Sequence, residues 1–213
     1  MTNKFRLLVY TTQQLSEPRV ISKLWDLLSD STVKAKRYDS QERAKLEFDI
    51  SKAEHASQIY ENDGLLFVKG EKDGFLGQFS QYRKGLSIWN IWLNLGAMQG
   101  RKQHKWLNWM CRLFNDLPAL YCGGASLIEF NEKHAVVKEI PGGGRVSGTI
   151  GISTAEFYQY LPGLYWLNIF GSDLVNFFGE HKILNIEGVS STLLKAGQVM
   201  FHLNDSVIPD DLS

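Results

Sequence analysis

The sequence predicts an α+β fold: a mostly antiparallel central sheet, built of a meander plus C-terminal strands and flanked by several helices. Three observations predict it. Between Gly64 and Leu95, three strand-like runs follow one another across short turns. Trp106, Trp109, Met110, Leu113, Phe114 and Leu117 then mark one stripe at helical spacing. Finally, the run Gly163 to Gly171 is rich in aromatic and β-favouring residues and opens behind Pro162, as a strand bounded by turn residues does.

In chain order, Lys4 to Tyr10 reads as an opening strand. Ser16-Glu17-Pro18 starts a helix, with a cap and a proline where the first turn tolerates one. Val20, Ile21, Leu24, Trp25 and Leu28 form its apolar stripe. Lys34, Lys36 and Arg37 read as a basic connecting loop, with phosphate contact as the sharper alternative. Ala44, Leu46, Phe48 and Ile50 alternate with charged residues, which predicts a half-buried strand. Ser51 and Glu54 have capping-box spacing for a helix over 52–62.

The meander comprises 65–69, 74–83 and 86–95. In its last strand Trp89, Ile91 and Leu93 share one face, and Ile88, Asn90, Trp92 and Asn94 the other. Apolar residues on both faces predict a central position. Residues 96–103 read as a loop before the Trp106 helix, which Pro118 ends. A short strand over 119–122 is broken by Gly123-Gly124. Ser126 and Glu129 predict a helix over 127–138, and Ser153 and Glu156 a shorter one through Tyr160. Residues 141–151 read as a glycine-rich loop between them. After the 163–171 strand comes a short helix, with Ser172 as cap and Gly179 as stop. A final hairpin pairs 189–194 with 199–203 about Lys195-Ala196-Gly197. The chain reads as one domain over 1–213, and the glycine-rich loop is the weak candidate boundary.

Composition narrows the functions. Lys plus Arg is 23 and Asp plus Glu is 23, so the formal net charge is zero. That argues against a generally basic nucleic-acid binder and against a globally acidic mimic of nucleic acid, while leaving a local patch of either sign open. The two cysteines, Cys111 and Cys122, read as buried free thiols. No signal peptide heads the chain, and no stretch approaches the ~18 apolar residues that span a bilayer. A cytoplasmic protein without a membrane partner is expected.

Chemical signatures are weak. Gly142-Gly143-Gly144 is followed by Arg145-Val146, not by the Lys-Ser/Thr of a phosphate-binding loop. None of the five histidines has metal-ligand spacing, and no G-x-S-x-G turn occurs. No catalytic residue, cofactor or metal is therefore expected. The alternative to a non-enzymatic reading is a small-molecule or nucleic-acid-binding domain, or an enzyme without a recognised motif. It would use the Gly142–Gly144 loop and the cluster Arg101, Lys102, His104 and Lys105.

Leu161-Pro162-Gly163-Leu164-Tyr165-Trp166-Leu167-Asn168, followed by Phe170-Gly171, resembles the motif of bacterial polymorphic-toxin immunity proteins, encoded beside type VI secretion effectors and related toxins. The group it resembles most is the immunity family found next to toxins with a restriction-endonuclease fold. The resemblance implies an inhibitor that is not an enzyme and that binds its cognate toxin, a nuclease effector, without contacting nucleic acid. Pro162, Gly163, Tyr165, Trp166, Asn168, Phe170 and Gly171 carry the motif and read as structural. A nuclease has a basic cleft, so acidic residues are the candidate toxin contacts: Glu71, Asp73, Glu180, Glu187 and Asp205.

Overall fold

The computed structural model describes residues 3–71, 74–83, 85–140, 144–149 and 164–203. In chain order the elements are β1 (Lys4–Thr11), α1 (Pro18–Ser29), β2 (Ala35–Asp39), β3 (Leu46–Glu47), α2 (Ala53–Asp63), β4 (Leu65–Gly70), β5 (Phe75–Arg83), β6 (Leu86–Asn94), α3 (Gly100–Asp116), β7 (Tyr121–Ser126), α4 (Leu127–His134), β8 (Ala135–Ile140), β9 (Gly144–Thr149), β10 (Leu167–Phe170), α5 (Ser172–Phe178), α6 (Glu180–Leu184), β11 (Val189–Leu193) and β12 (Val199–Leu203).

Ten strands form one sheet in the order β11-β12-β10-β7-β1-β6-β5-β4-β2-β3, and β8 pairs with β9 alone. Every pairing is antiparallel. The expected α+β class is what the chain adopts. The meander β4-β5-β6 is present, and β1 lies between β6 and β7 with full-length pairing to β6.

Side chains alternate across the sheet and make two cores. On the first face, Phe5, Leu7, Val9, Trp89, Ile91, Leu93, Phe79 and Val68 are buried with the apolar stripes of α1 and α3. Trp25 and Trp109 anchor that layer, donating from Nε1 to Asp49 O and Leu27 O at 2.9 Å each. On the second face, Leu8, Tyr10, Tyr121, Ala125, Phe170, Val199 and Phe201 pack with Phe130 of α4, Leu174 and Val175 of α5 and Ile183 of α6.

Several local expectations are corrected. Lys36 and Arg37 lie in strand β2, because β4 supplies the ladder and Tyr38 packs edge-on to Trp25. Only Leu46 and Glu47 of the 44–50 run pair as a strand. There Asp49 Oδ1 accepts the Ser51 N–H at 2.8 Å and caps a tight helical turn, so the chain leaves the sheet early. The Ser51–Glu54 box does not cap α2, whose first residue follows Lys52 without a side-chain cap.

Gly123 and Gly124 lie inside β7 rather than ending it. The helix over 127–138 stops at His134, and 135–140 is a strand paired with 144–149. Gly144 therefore opens β9 and is not part of a loop reaching 151. The Ser126 cap itself is present: Ser126 Oγ accepts the Glu129 N–H at 3.2 Å. The 163–171 strand is shortened to β10, and α6 was not expected. The helix placed over 153–160 and the loop glycines Gly142 and Gly143 lie outside the described residues.

Candidate interaction surface

The motif residues are divided between the two cores: Tyr165 and Phe170 pack in the second and Trp166 in the first. Tyr165 is fully buried, and its ring stacks on Phe130 of α4 with centroids 4.5 Å apart. It lies over Gly123, where an added Cβ would stand 2.5 Å from its Cδ2. Trp166 meets Phe5 edge-on and stacks on His202. Asn168 is buried and bonds main chain: its Oδ1 accepts the Tyr165 N–H at 3.0 Å and its Nδ2 donates to Tyr165 O at 2.7 Å. Phe170 packs on Phe201, Phe178 and Tyr121. Gly171 passes so close to the residues leading into β7 that a Cβ would lie 2.6 Å from Ala119 O. Pro162 and Gly163 lie outside the described residues. Leu164 is the exposed residue of the described motif, at 53%.

The acidic candidates do not converge. Glu71 follows β4, near the β2–β3 edge of the sheet, and pairs with Lys34 at 3.9 Å. Glu180 and Glu187 are exposed on and after α6, which packs on β11 and β12 at the opposite edge. Asp73 and Asp205 lie outside the described residues. The basic cluster is also placed differently from expectation. Arg101, Lys102, His104 and Lys105 are exposed in the opening turns of α3, not in a loop. They are separate from the hairpin that contains Gly144.

A different surface is legible only in three dimensions. On the second face, α4, α5 and α6 cover the half of the sheet from β1 to β12. Over β6, β5 and β4 no described helix packs. The register aligns Phe67, Gln78, Asn90 and Leu8 in one row and Lys69, Leu76, Trp92 and Arg6 in the next. Leu65, Ser80 and Ile88 make a third. These β4–β6 residues are half-buried, and Tyr82 beside them is 46% exposed.

Arg6 lies at the boundary between the half of this face that the described helices cover and the half that they do not. Its Nη2 and Nε donate to Asn90 Oδ1 at 2.6 and 3.1 Å, and its guanidinium lies over the rings of Trp92 and Phe130. Burial disfavours its charge and pulls its pKa below the usual arginine value, against the opposing influence of Tyr10 and Tyr165. Burial also pushes the Tyr10 hydroxyl up to about 12. Trp, Tyr and Arg around a patch of amides and hydroxyls is the composition of an interface anchor.

At the β2–β3 end, Lys36, Arg37, Arg43 and Lys69 line an open groove of about 740 Å³ with Glu47 and Glu71. Its balance is positive, the opposite of the acidic patch expected to steer a basic nuclease. A smaller hollow of about 270 Å³ lies among Thr12, Pro118, Gly171, Asp173 and Gln198. Gln198 Oε1 and Nε2 there are spent on Ala119 N–H and Phe114 O.

Among the described residues, no three His, Cys, Asp or Glu side chains cluster to hold a metal ion, and no helix is long and apolar enough to cross a membrane. Cys111 and Cys122 are both free thiols. Burial pushes both thiols up, that of the enclosed Cys122 furthest.

No protein-family profile and no curated protein matches the chain. Among solved structures, its fold is similar to that of a Pseudomonas aeruginosa T6SS protein, PA0821, with a TM-score of 0.54 and 9% sequence identity. The similarity covers 93% of this chain but 64% of that protein, so the chain spans less than two thirds of its structural neighbour.

Proposed function

We propose that this chain is an immunity protein that binds a cognate secreted toxin, a nuclease effector, in the cytoplasm and neutralises it by stoichiometric contact rather than by catalysis. The observation that carries the proposal is the fold. Over 93% of its length the chain follows the path of a protein of type VI secretion, and the same chain carries a motif resembling that of immunity proteins.

The motif supports this reading through the scaffold and not through contact. Tyr165, Trp166, Asn168 and Phe170 are buried, so they hold β7, β10 and α4 together instead of meeting a partner. The toxin then docks on the open half of the second face. Trp92, Tyr82 and Phe67 supply apolar contact area, while Asn90, Gln78 and Ser80 supply hydrogen bonds. A tight inhibitor buries about 1,600 Å² in total, and side chains carried on paired strands cost less ordering on association than a loop does.

The test is growth protection. Cells producing the active product of the adjacent open reading frame should survive when this chain is co-expressed. Unprotected growth with the chain soluble and abundant would overturn the proposal.

A second reading, an anion- or nucleic-acid-binding module, is favoured by the four cations of the β2–β3 groove. Single-stranded nucleic acid retained at physiological salt, and released by Arg37→Glu/Lys69→Glu, would favour it over the first.

A further inference from the structure

Arg6 is a half-buried cation held by neutral groups. Its Nε and Nη2 both donate to one acceptor, the amide oxygen of Asn90. Its guanidinium lies 5.9 Å from the ring centre of Trp92 and 5.3 Å from that of Phe130. Among the described residues, no acceptor meets Nη1 and no carboxylate pairs with Arg6. Lys23, Lys34, Arg112 and Lys133, by contrast, each meet a carboxylate. The buried side-chain nitrogens and oxygens left without a partner belong to Trp89 and Ser191. Nη1 is not among them, so the uncommitted edge of the guanidinium opens on the surface.

The register extends that edge into a row. Arg6 pairs with Trp92, Trp92 with Leu76, and Leu76 with Lys69. Neighbouring strands lie about 4.8 Å apart, so the two cations stand about 14 Å apart with apolar side chains between them. β4, β5 and β6 contain no Asp or Glu. Asp39 and Glu47, on β2 and β3, lie beyond Lys69. Asp39 spends its two oxygens on the N–H groups of Ser40 and Lys45, and Glu47 is paired in register with Arg37. On the covered side, Glu129 of α4 is taken by Lys133 at 2.6 Å. The chain as a whole has no formal net charge, yet this row is positive and has no acid of its own.

Taking this face as the one that docks a toxin, we infer that Arg6 receives a carboxylate from the partner. An Asp or Glu side chain of the toxin meets Nη1, apolar contact covers Trp92 and Leu76, and a second acid lies toward Lys69. A guanidinium makes stronger hydrogen bonds to a carboxylate than to a neutral amide. A pair at the half-buried Arg6 is screened by salt less than one at an exposed lysine. Arg6 also gives selectivity, because a partner with an apolar or basic residue at that place would cover the cation and leave it unpaired. A nucleic-acid backbone is held by a longer run of cations. Two cations separated by Trp92 and Leu76 fit isolated carboxylates instead.

Titration against the tagged, inactivated product of the adjacent open reading frame tests this. Arg6→Met keeps an apolar stem against Trp92 and Phe130 and removes the charge. It should weaken the complex about thirtyfold or more at both low and high salt, with circular dichroism showing the fold intact. Lys69→Glu should weaken it chiefly at low salt. Arg6→Lys puts an amine in the site, and a zero-length carbodiimide should then join residue 6 to an Asp or Glu of the partner, a link that a purely structural arginine would not predict. A complex indifferent to Arg6→Met, or an Arg6→Lys complex that yields no such link, would overturn the inference and leave the immunity reading standing. Single-stranded nucleic acid retained by the chain and released by Arg6→Met would reassign the site to phosphate and overturn it as well. No complex with the unsubstituted chain would overturn both.

Discussion

The ring of Tyr165 occupies the space that a side chain on Gly123 would need, since a Cβ on Gly123 would lie 2.5 Å from Tyr165 Cδ2. A strand interior ordinarily disfavours glycine, because it gives up packing and costs backbone entropy. Here the missing side chain lets an aromatic ring from the motif lie flat on β7. The ring is then clamped from above by Phe130. Gly123→Ala should therefore lower unfolding stability by about 1–3 kcal/mol, as overpacking does. In a Tyr165→Leu background the same change should cost little, and a double-mutant cycle by chemical denaturation reads the coupling. Equal costs in both backgrounds would contradict this account of the glycine.

Asn168 makes the second prediction. Its amide closes a small ring with the main chain of Tyr165, in a site 1% exposed. Asn168→Leu leaves an N–H and a carbonyl unpaired and should cost about 2–3 kcal/mol. Asn168→Asp keeps the acceptor but loses the donor to Tyr165 O. Its protonated form regains that donor, so the deficit should shrink as pH falls. Denaturation midpoints at neutral and acidic pH measure both effects.

Asp30 links the end of α1 to α3 through Arg112 Nη1, 2.6 Å from its Oδ2. Burial raises its pKa, but hydrogen bonds from Thr32 and Arg112 outweigh that and hold the carboxyl below its usual value. A lowered folded-state value means stability that is present above the unfolded pKa and is lost as pH falls through the folded one. Arg112 is well exposed, so the contribution is modest, about 1 kcal/mol or less. Asp30→Asn should be measurably destabilising at pH 7 and nearly neutral at about pH 2. A cost independent of pH would point to cap geometry instead of charge.

Much of the fold was legible because its signals are local. The stripes of α1 and α3, the meander and the final hairpin all follow from periodicity and turn residues. The misreadings share one physical cause, tertiary context overriding a local cue. Gly123-Gly124 looks like a break until Tyr165 on one side and Leu7 on the other are seen to need the space. Residues 135–138 read as helix from a valid cap at Ser126, yet a hairpin partner draws them into a ladder.

Of the candidate site, Tyr165, Trp166, Asn168 and Phe170 of the motif are buried, as aromatic residues in a strand-like run suggest. The open face was not legible, because Arg6 and Asn90 lie 84 residues apart in sequence and only the β1–β6 register brings them together. The acidic contacts were inferred from what a nuclease would want, and sequence order alone cannot say that Glu71 and Glu187 belong to opposite edges.

The most direct measurement of the central claim is co-purification of this chain with a tagged, inactivated product of the adjacent open reading frame, in high salt. The account predicts an equimolar complex that survives, since its anchors are apolar contact area and buried hydrogen bonds more than steering charge. It also predicts that Tyr82→Ala and Trp92→Ala weaken the complex by about thirtyfold or more, the scale of interface anchors, while the chain stays folded. No complex, or one indifferent to both substitutions and dissolved by salt, would contradict it.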